Sequence, residues 1–141
     1  MTGETNLSIL LKNMQPVLNT GLYVFCVIPS LKALDFDKIL FFFKENEGYT
    51  IVLEKQQADI YRTQPDNPLR FEYTSVFAWI TLHVHSSLDA VGLTAAFSNA
   101  LAQNNISCNV VAGYYHDHIF VPQEMAQKAI AVLCELTASH I

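Results

Sequence analysis

In "NLSILLKNMQP" the apolar residues Leu7, Leu10, Leu11 and Met14 fall at the spacing of one helix face. Thr5 or Asn6 is placed to cap the start of that helix, and Pro16 to close it. "GLYVFCVIP" is a short apolar run bounded by Gly21 and Pro29, the pattern of a buried strand. In "KILFFFKENEGYTIVLEK" two aromatic and β-branched runs flank "ENEG", which predicts a hairpin turning at Gly48. "QQADIYRT" predicts a short helix or a helical turn. "QPDNPLR" then carries Pro65 and Pro68 and marks the clearest boundary in the chain, dividing it into 1–68 and 69–141.

Beyond the boundary the pattern sharpens. "SVFAWITLHV" alternates as a strand does, with Val76, Ala78, Ile80, Leu82 and Val84 on one face. Phe77, Trp79, Thr81, His83 and His85 take the other. "SSLDAVGLTAAFSNALAQNN" predicts a helix capped by Ser86 or Ser87, with Asp89 in its first turn, where the dipole favours an anion. Leu93, Ala96, Phe97, Ala100 and Leu101 form its apolar stripe. "ISCNVVAG" and "HDHIFVP" are two strands meeting at "GYY", where Gly113 serves the bend. Pro122 suits the start of a last helix, packed through Ala126, Ala129, Ile130 and Leu133.

The second half therefore reads β-α-β-β-α, most of a split βαβ, ferredoxin-like unit. The first half, with a strand, a hairpin and little room for a first helix, reads as a degenerate copy. The expected fold is α+β: ferredoxin-like (βαββαβ) units in tandem, antiparallel sheets with helices on one face.

Composition narrows the function classes. The 141 residues are 51% hydrophobic and 15% charged, enough apolar material for a core. The net charge is −5, and the eight Lys and Arg are scattered without a basic stripe, which argues against nucleic acid and against an anionic membrane surface. No apolar run approaches the roughly 18 residues of a membrane span. "MTGETNLSILLKNM" lacks the basic start and cleavage site of a signal peptide, so a cytoplasmic location is expected. Cys26, Cys108 and Cys134 form no Cys-x-x-Cys and read as free thiols in apolar stretches, small core residues. There is no Gly-x-Ser-x-Gly elbow, and "AVGLTA" lacks the glycines and lysine of a phosphate loop. Glu45 and Glu47 flank a turn as solvated carboxylates. No enzyme activity and no cofactor are expected.

Residues 86–122, "SSLDAVGLTAAFSNALAQNNISCNVVAGYYHDHIFVP", resemble the ACT family, in particular small bacterial proteins built of tandem ACT-like units. The resemblance covers about residues 17 to 136. It is strongest from Phe77 to Leu133, in Leu88-x-x-Val91-Gly92-Leu93, Asn105-Ile106-Ser107 and His116-Asp117-His118. "ENEGYTIVLEKQQA" carries the weaker match of the first unit. The resemblance implies a regulatory protein that binds an amino acid or similar small molecule and has no catalytic machinery of its own. No fourth strand is evident before Ile141, and no enzyme domain is expected within these residues. In some tandem ACT proteins one unit is inserted into the other, so the resemblance also implies that an N-terminal strand could complete the second sheet.

Two groups of residues are candidates for chemistry. Strand alternation puts His83, His85, His116 and His118 on the helix-free face, where four imidazoles could approach one another and hold zinc or copper. The competing reading is an interface: the resemblance implies that this face packs against another unit or protomer, giving a homodimer or larger homo-oligomer. Asp117 instead alternates with Ile119 and Val121 and faces the helices. One reading makes it a partner for free N–H groups in the "HSSLDA" turn. The other makes it the partner of a ligand ammonium whose carboxylate meets those N–H groups, with Ser86, Ser87, Leu88, Asp89 and Gly92 completing the site. The resemblance implies that ligands bind at this corner. Three functions stand at this point: amino-acid-like ligand binding, histidine-rich metal binding, and a ligand-free protein-interaction module.

Overall fold

The computed structural model describes residues 6–66, 71–87 and 90–140. In chain order its elements are α1 (Leu7–Asn13), β1 (Gln15–Leu18), β2 (Tyr23–Ile28), β3 (Ile39–Glu45), β4 (Gly48–Glu54), α2 (Lys55–Arg62), β5 (Phe77–His83), α3 (Leu93–Gln103), β6 (Asn109–Ala112), β7 (Asp117–Pro122) and α4 (Ala126–Ala138). The fold is α+β, with antiparallel sheet and helices. The chain divides into two compact units, one of residues 21–77 and one of residues 1–20 with 78–141. The first twenty residues thus group with the second half of the chain.

In the discontinuous unit β1 pairs antiparallel with β5, from Gln15 opposite His83 to Leu18 opposite Ile80. β7 lies on the other side of β5, and β6 pairs with β7. β1 therefore fills the sheet position that α4 leaves without a following strand. Pro16 sits inside β1 rather than closing the helix; α1 ends at Asn13, and Asn6 caps its start by accepting from the Ile9 N–H. A proline is tolerated there because β1 has a neighbour on one side only within this unit. Leu10, Leu11 and Met14 are buried with Ile80, Leu82, Phe97, Leu101, Ile119, Val121 and Leu133 in one core. Thr137 Oγ1 donates to the Met14 carbonyl at 3.1 Å, tying α4 to the N-terminal segment.

The helix expected from Ser86 begins later. α3 starts at Leu93, and its N-cap is Gly92 at φ +100°, without a side-chain cap. A left-handed backbone ends any helix that runs into it, so the N-cap of α3 is Gly92 and neither Ser86 nor Ser87. A Cβ on Gly92 would lie 3.1 Å from Leu7 Cδ2, so this glycine serves the turn and the close approach of α1.

In the unit of residues 21–77 the strand order is β3-β4-β2, all antiparallel. β3 and β4 form the expected hairpin, and α2 the expected short helix. Val24, Cys26, Ile28, Ile51, Leu53, Ala58 and Phe71 are its core, with Tyr61 stacked on Phe71 at 4.6 Å. Tyr73 donates to Asp59 at 2.6 Å and Lys55 to the same carboxylate at 2.9 Å, which fastens α2 to the segment after it. The thiols are free. Burial pushes Cys26 and Cys108 up to about 11, but Cys134 is exposed on α4 and is no core residue.

A polar seam crosses the helix-free face of the discontinuous unit. Asn19 follows β1, and its Nδ2 donates to Thr81 Oγ1 at 2.9 Å and to the Trp79 carbonyl at 3.3 Å. Trp79 Nε1 donates to His118 Nδ1 at 3.0 Å, and Thr81 Oγ1 lies 3.1 Å from the same nitrogen. An indole N–H can only donate, so Nδ1 must be unprotonated and the proton sits on Nε2. Burial first, then the nearby His116 and His83, holds His118 below its ordinary 6.5. The folded-state value is depressed, so this group's contribution to stability is full above 6.5 and is lost as pH falls through the folded-state value.

Two outcomes are expected. Gly92→Ala should lower unfolding stability by about 1–3 kcal/mol, read by urea denaturation, because alanine strains the left-handed backbone and crowds Leu7. In an NMR titration over about pH 4–8, His118 should titrate below 6.5 as the Nε2–H tautomer, and Trp79→Phe should move its midpoint upward. A midpoint unmoved by that change would refute the indole's role.

Candidate functional site

β5 and β7 build the site. His83 and His116 lie ring to ring, with centroids 4.6 Å apart, and Thr81 stands beside His118. These two contacts set the strands antiparallel, with the end of β5 next to the start of β7. Asp117 begins β7 and pairs with Ala112 of β6. The pleat turns it to the side of Ile119 and Val121, which lie in the helix-facing core. It therefore stands at the corner where β5 ends and the chain turns toward α3.

Asp117 is half-buried, and burial raises its pKa. Among the described residues its side chain makes no ion pair with Lys or Arg; both ion pairs there belong to Asp59. Ser86 and Ser87 occupy the loop leaving β5: the Ser86 N–H donates to the Val84 carbonyl at 3.1 Å, and the Ser87 carbonyl accepts from Ala90 at 3.0 Å. Leu88 and Asp89, the other two expected ligand residues of this loop, lie outside the described residues. Gly92 ends the loop and is the N-cap of α3, with no side-chain capping bond of its own. The corner thus holds a half-buried carboxylate at the end of the sheet from which the loop to α3 leaves.

The four histidines share a region but not a point. His83 and His116 form the close pair, His118 is bonded to Trp79, and His85 lies past the end of β5 with its ring 6.0 Å from Tyr115. Among the described residues no group of three or more His, Cys, Asp or Glu side chains is placed to hold a metal ion. His118 Nδ1 already accepts the indole proton, and His116 Nδ1 is buried without a hydrogen-bond partner. The helix-free face is also more closed than its composition suggests, since Thr81 and Phe120 are buried.

Three residues of this region carry roles that periodicity alone does not reveal. Trp79 fixes the His118 tautomer, and its place on the histidine side of the β5 alternation was the available signal. Asn19 has none, because its partners lie 60 and 62 positions away. Gly113 does more than allow a bend: a Cβ there would lie 2.9 Å from the His116 carbonyl and 3.2 Å from His118 Nε2. Its N–H donates to that carbonyl at 2.9 Å, closing the β6–β7 turn.

Models of the ACT domain match residues 2–70 and 74–135. A protein of unknown function from Vibrio cholerae, a possible transport protein, is 44% identical, with 93% of this chain and 95% of its own covered and a TM-score of 0.79. An Agrobacterium tumefaciens protein is 15% identical over 88% of this chain and 89% of its own, with a TM-score of 0.66. The ligand-free regulatory subunit of aspartate kinase from Thermus thermophilus is 12% identical over 86% of this chain and 97% of its own, with a TM-score of 0.64. The likeness to these last two is one of fold. No curated protein matches the chain. No helix among the described residues is long and apolar enough to cross a membrane. Two ACT matches, the first ending with the proline-rich stretch and the second beginning just after it, take in most of the sequence, and the chain belongs to the ACT domain family as a tandem ACT protein.

Proposed function

We propose that this protein is a non-enzymatic regulatory module that binds a small amino-acid-like ligand at the Asp117 corner. The observation that carries the reading is the carboxylate itself. An ionised group drawn partly out of water calls for a compensating cation, and burial already raises the Asp117 pKa. A ligand ammonium supplies that cation. Its carboxylate then reaches the start of α3, with Ser86, Ser87, Leu88, Asp89 and Gly92 around it. The aspartate kinase regulatory subunit shares this fold, which supports a regulatory rather than a catalytic role. A ligand that favours one packing of the ACT units over another would bias that equilibrium by its differential affinity. Three free thiols fit a cytoplasmic location.

The module acts as a homo-oligomer of at least two chains. Val27 and Phe43 both stand on the helix-free face of the unit of residues 21–77, across from Thr50, and are 57% and 67% exposed. Two large apolar side chains side by side on a sheet are a site for a second copy of the chain.

Sedimentation at micromolar protein should therefore give a species heavier than the 15.8 kDa chain, and Phe43→Glu should shift it toward the monomer. A wild type that stays at the monomer mass overturns this part of the proposal. For the ligand site, the melting temperatures of wild type and Asp117→Asn are compared with and without each common amino acid. The sign for the free protein follows from the raised pKa: above the folded-state value the ionised carboxylate disfavours the folded form, so Asn should keep or raise the melting temperature. With the best ligand, Asn should lose a charge-assisted hydrogen bond, about 1.5–3 kcal/mol or roughly ten- to a hundredfold in affinity. An undiminished ligand shift in Asp117→Asn sinks the assignment.

A further inference from the structure

The unit of residues 21–77 carries a solvent-open cavity of about 240 Å³ that the Asp117 corner does not use. It lies where β2 begins, β4 ends and α2 starts, and its polar lining is Tyr23, Asp37, Lys38, Glu54 and Gln57. We propose that this cavity is a second ligand site, which takes a small organic amine in its cationic form.

Three observations point that way. The first is charge: two carboxylates and one ammonium line the cavity, so its formal balance is negative. The second is Gln57, whose Oε1 is buried and has no hydrogen-bond partner. Buried amide oxygens are almost always matched by a donor, and an ammonium brings three. The third is Gly21, at φ +93°. A Cβ there would lie 3.4 Å from Glu54 Cδ and 3.5 Å from both Glu54 Oε1 and the Tyr23 hydroxyl. The Glu54 carboxylate and the Tyr23 phenol therefore both lie close to Gly21, which lines the neighbouring hollow. Glu54 is the N-cap residue of α2 but makes no capping bond with its side chain. A further hollow of about 390 Å³, lined by Gly21, Leu22, Lys55 and Gln56, reaches Glu54 from another side.

Ile39 and Leu40 complete the lining and supply apolar surface for a short methylene chain. A chain with an ammonium at one end, or at both, matches this alternation of carboxylate, hydrocarbon and amide oxygen. Such a ligand adds a donor for Gln57 and a counter-charge for Glu54 and Asp37.

Isothermal titration calorimetry of the full chain with putrescine at low salt, with succinate as the probe of opposite charge, tests the site. Putrescine should bind one per chain. Glu54→Gln should weaken it about tenfold, and Gln57→Leu should weaken it in the same direction. Asp117→Asn should leave it unchanged, which separates this site from the one proposed above. The inference is overturned by no putrescine binding at about 10 mM, by binding indifferent to both cavity variants, or by succinate binding in preference. Native-like circular dichroism of the two variants is the control that a loss of binding is not a loss of fold.

Discussion

Four backbone pairs, Gln15 to Leu18 against Ile80 to His83, are what the discontinuous unit rests on. Without β1, β5 would present an unpaired row of N–H and C=O groups beside its own core, and an open edge of that kind invites pairing with another chain. β1 closes it, and the helix before β1 comes along: Leu10, Leu11 and Met14 enter the same core as Leu82 and Phe97. The seam from Asn19 through Thr81 to His118 repeats the tie on the opposite face. The Asp117 corner is positioned by the same strands, because β5 and β7 set where the loop to α3 leaves the sheet.

That dependence also explains where a linear reading falls short. The ACT matches run along the sequence, 2–70 and then 74–135, whereas the compact units are 21–77 and the remainder. "QPDNPLR" is a true interruption of the apolar pattern, but a break in pattern says nothing about which earlier strand a later one will choose. Strand pairing over some sixty positions is decided by open hydrogen-bonding edges and by core packing, neither of which has a local signature.

Local signals did well where local physics decides. The "ENEG" hairpin, the β5 alternation that sends Trp79, Thr81 and His83 to one side, and the short α2 helix follow from turn residues and side-chain period. The start of α3 shows the limit. Ser-Ser-Leu-Asp has the look of a helix cap, yet Gly92 takes a left-handed turn and the helix begins after it. The positive φ of Gly92 goes with a close approach of Leu7, a residue of α1 against which a Cβ would crowd. The Tyr23, Glu54 and Gln57 cavity left no trace in the sequence at all, since its members come from a strand start, a strand end and a helix.

The insertion also has a consequence for how the chain acquires its structure. During synthesis β1 emerges long before its partner: Asn19 and Thr81, which share a hydrogen bond, are 62 positions apart. A flexible loop of that length makes closure slow and entropically unfavourable. The inserted unit removes most of that penalty, because its own ends meet: Tyr23 pairs with Phe77 at its base. Once residues 21–77 have folded, the flexible loop is replaced by a compact body whose two exits are adjacent, and β1 is delivered to β5 as if the two were nearly consecutive.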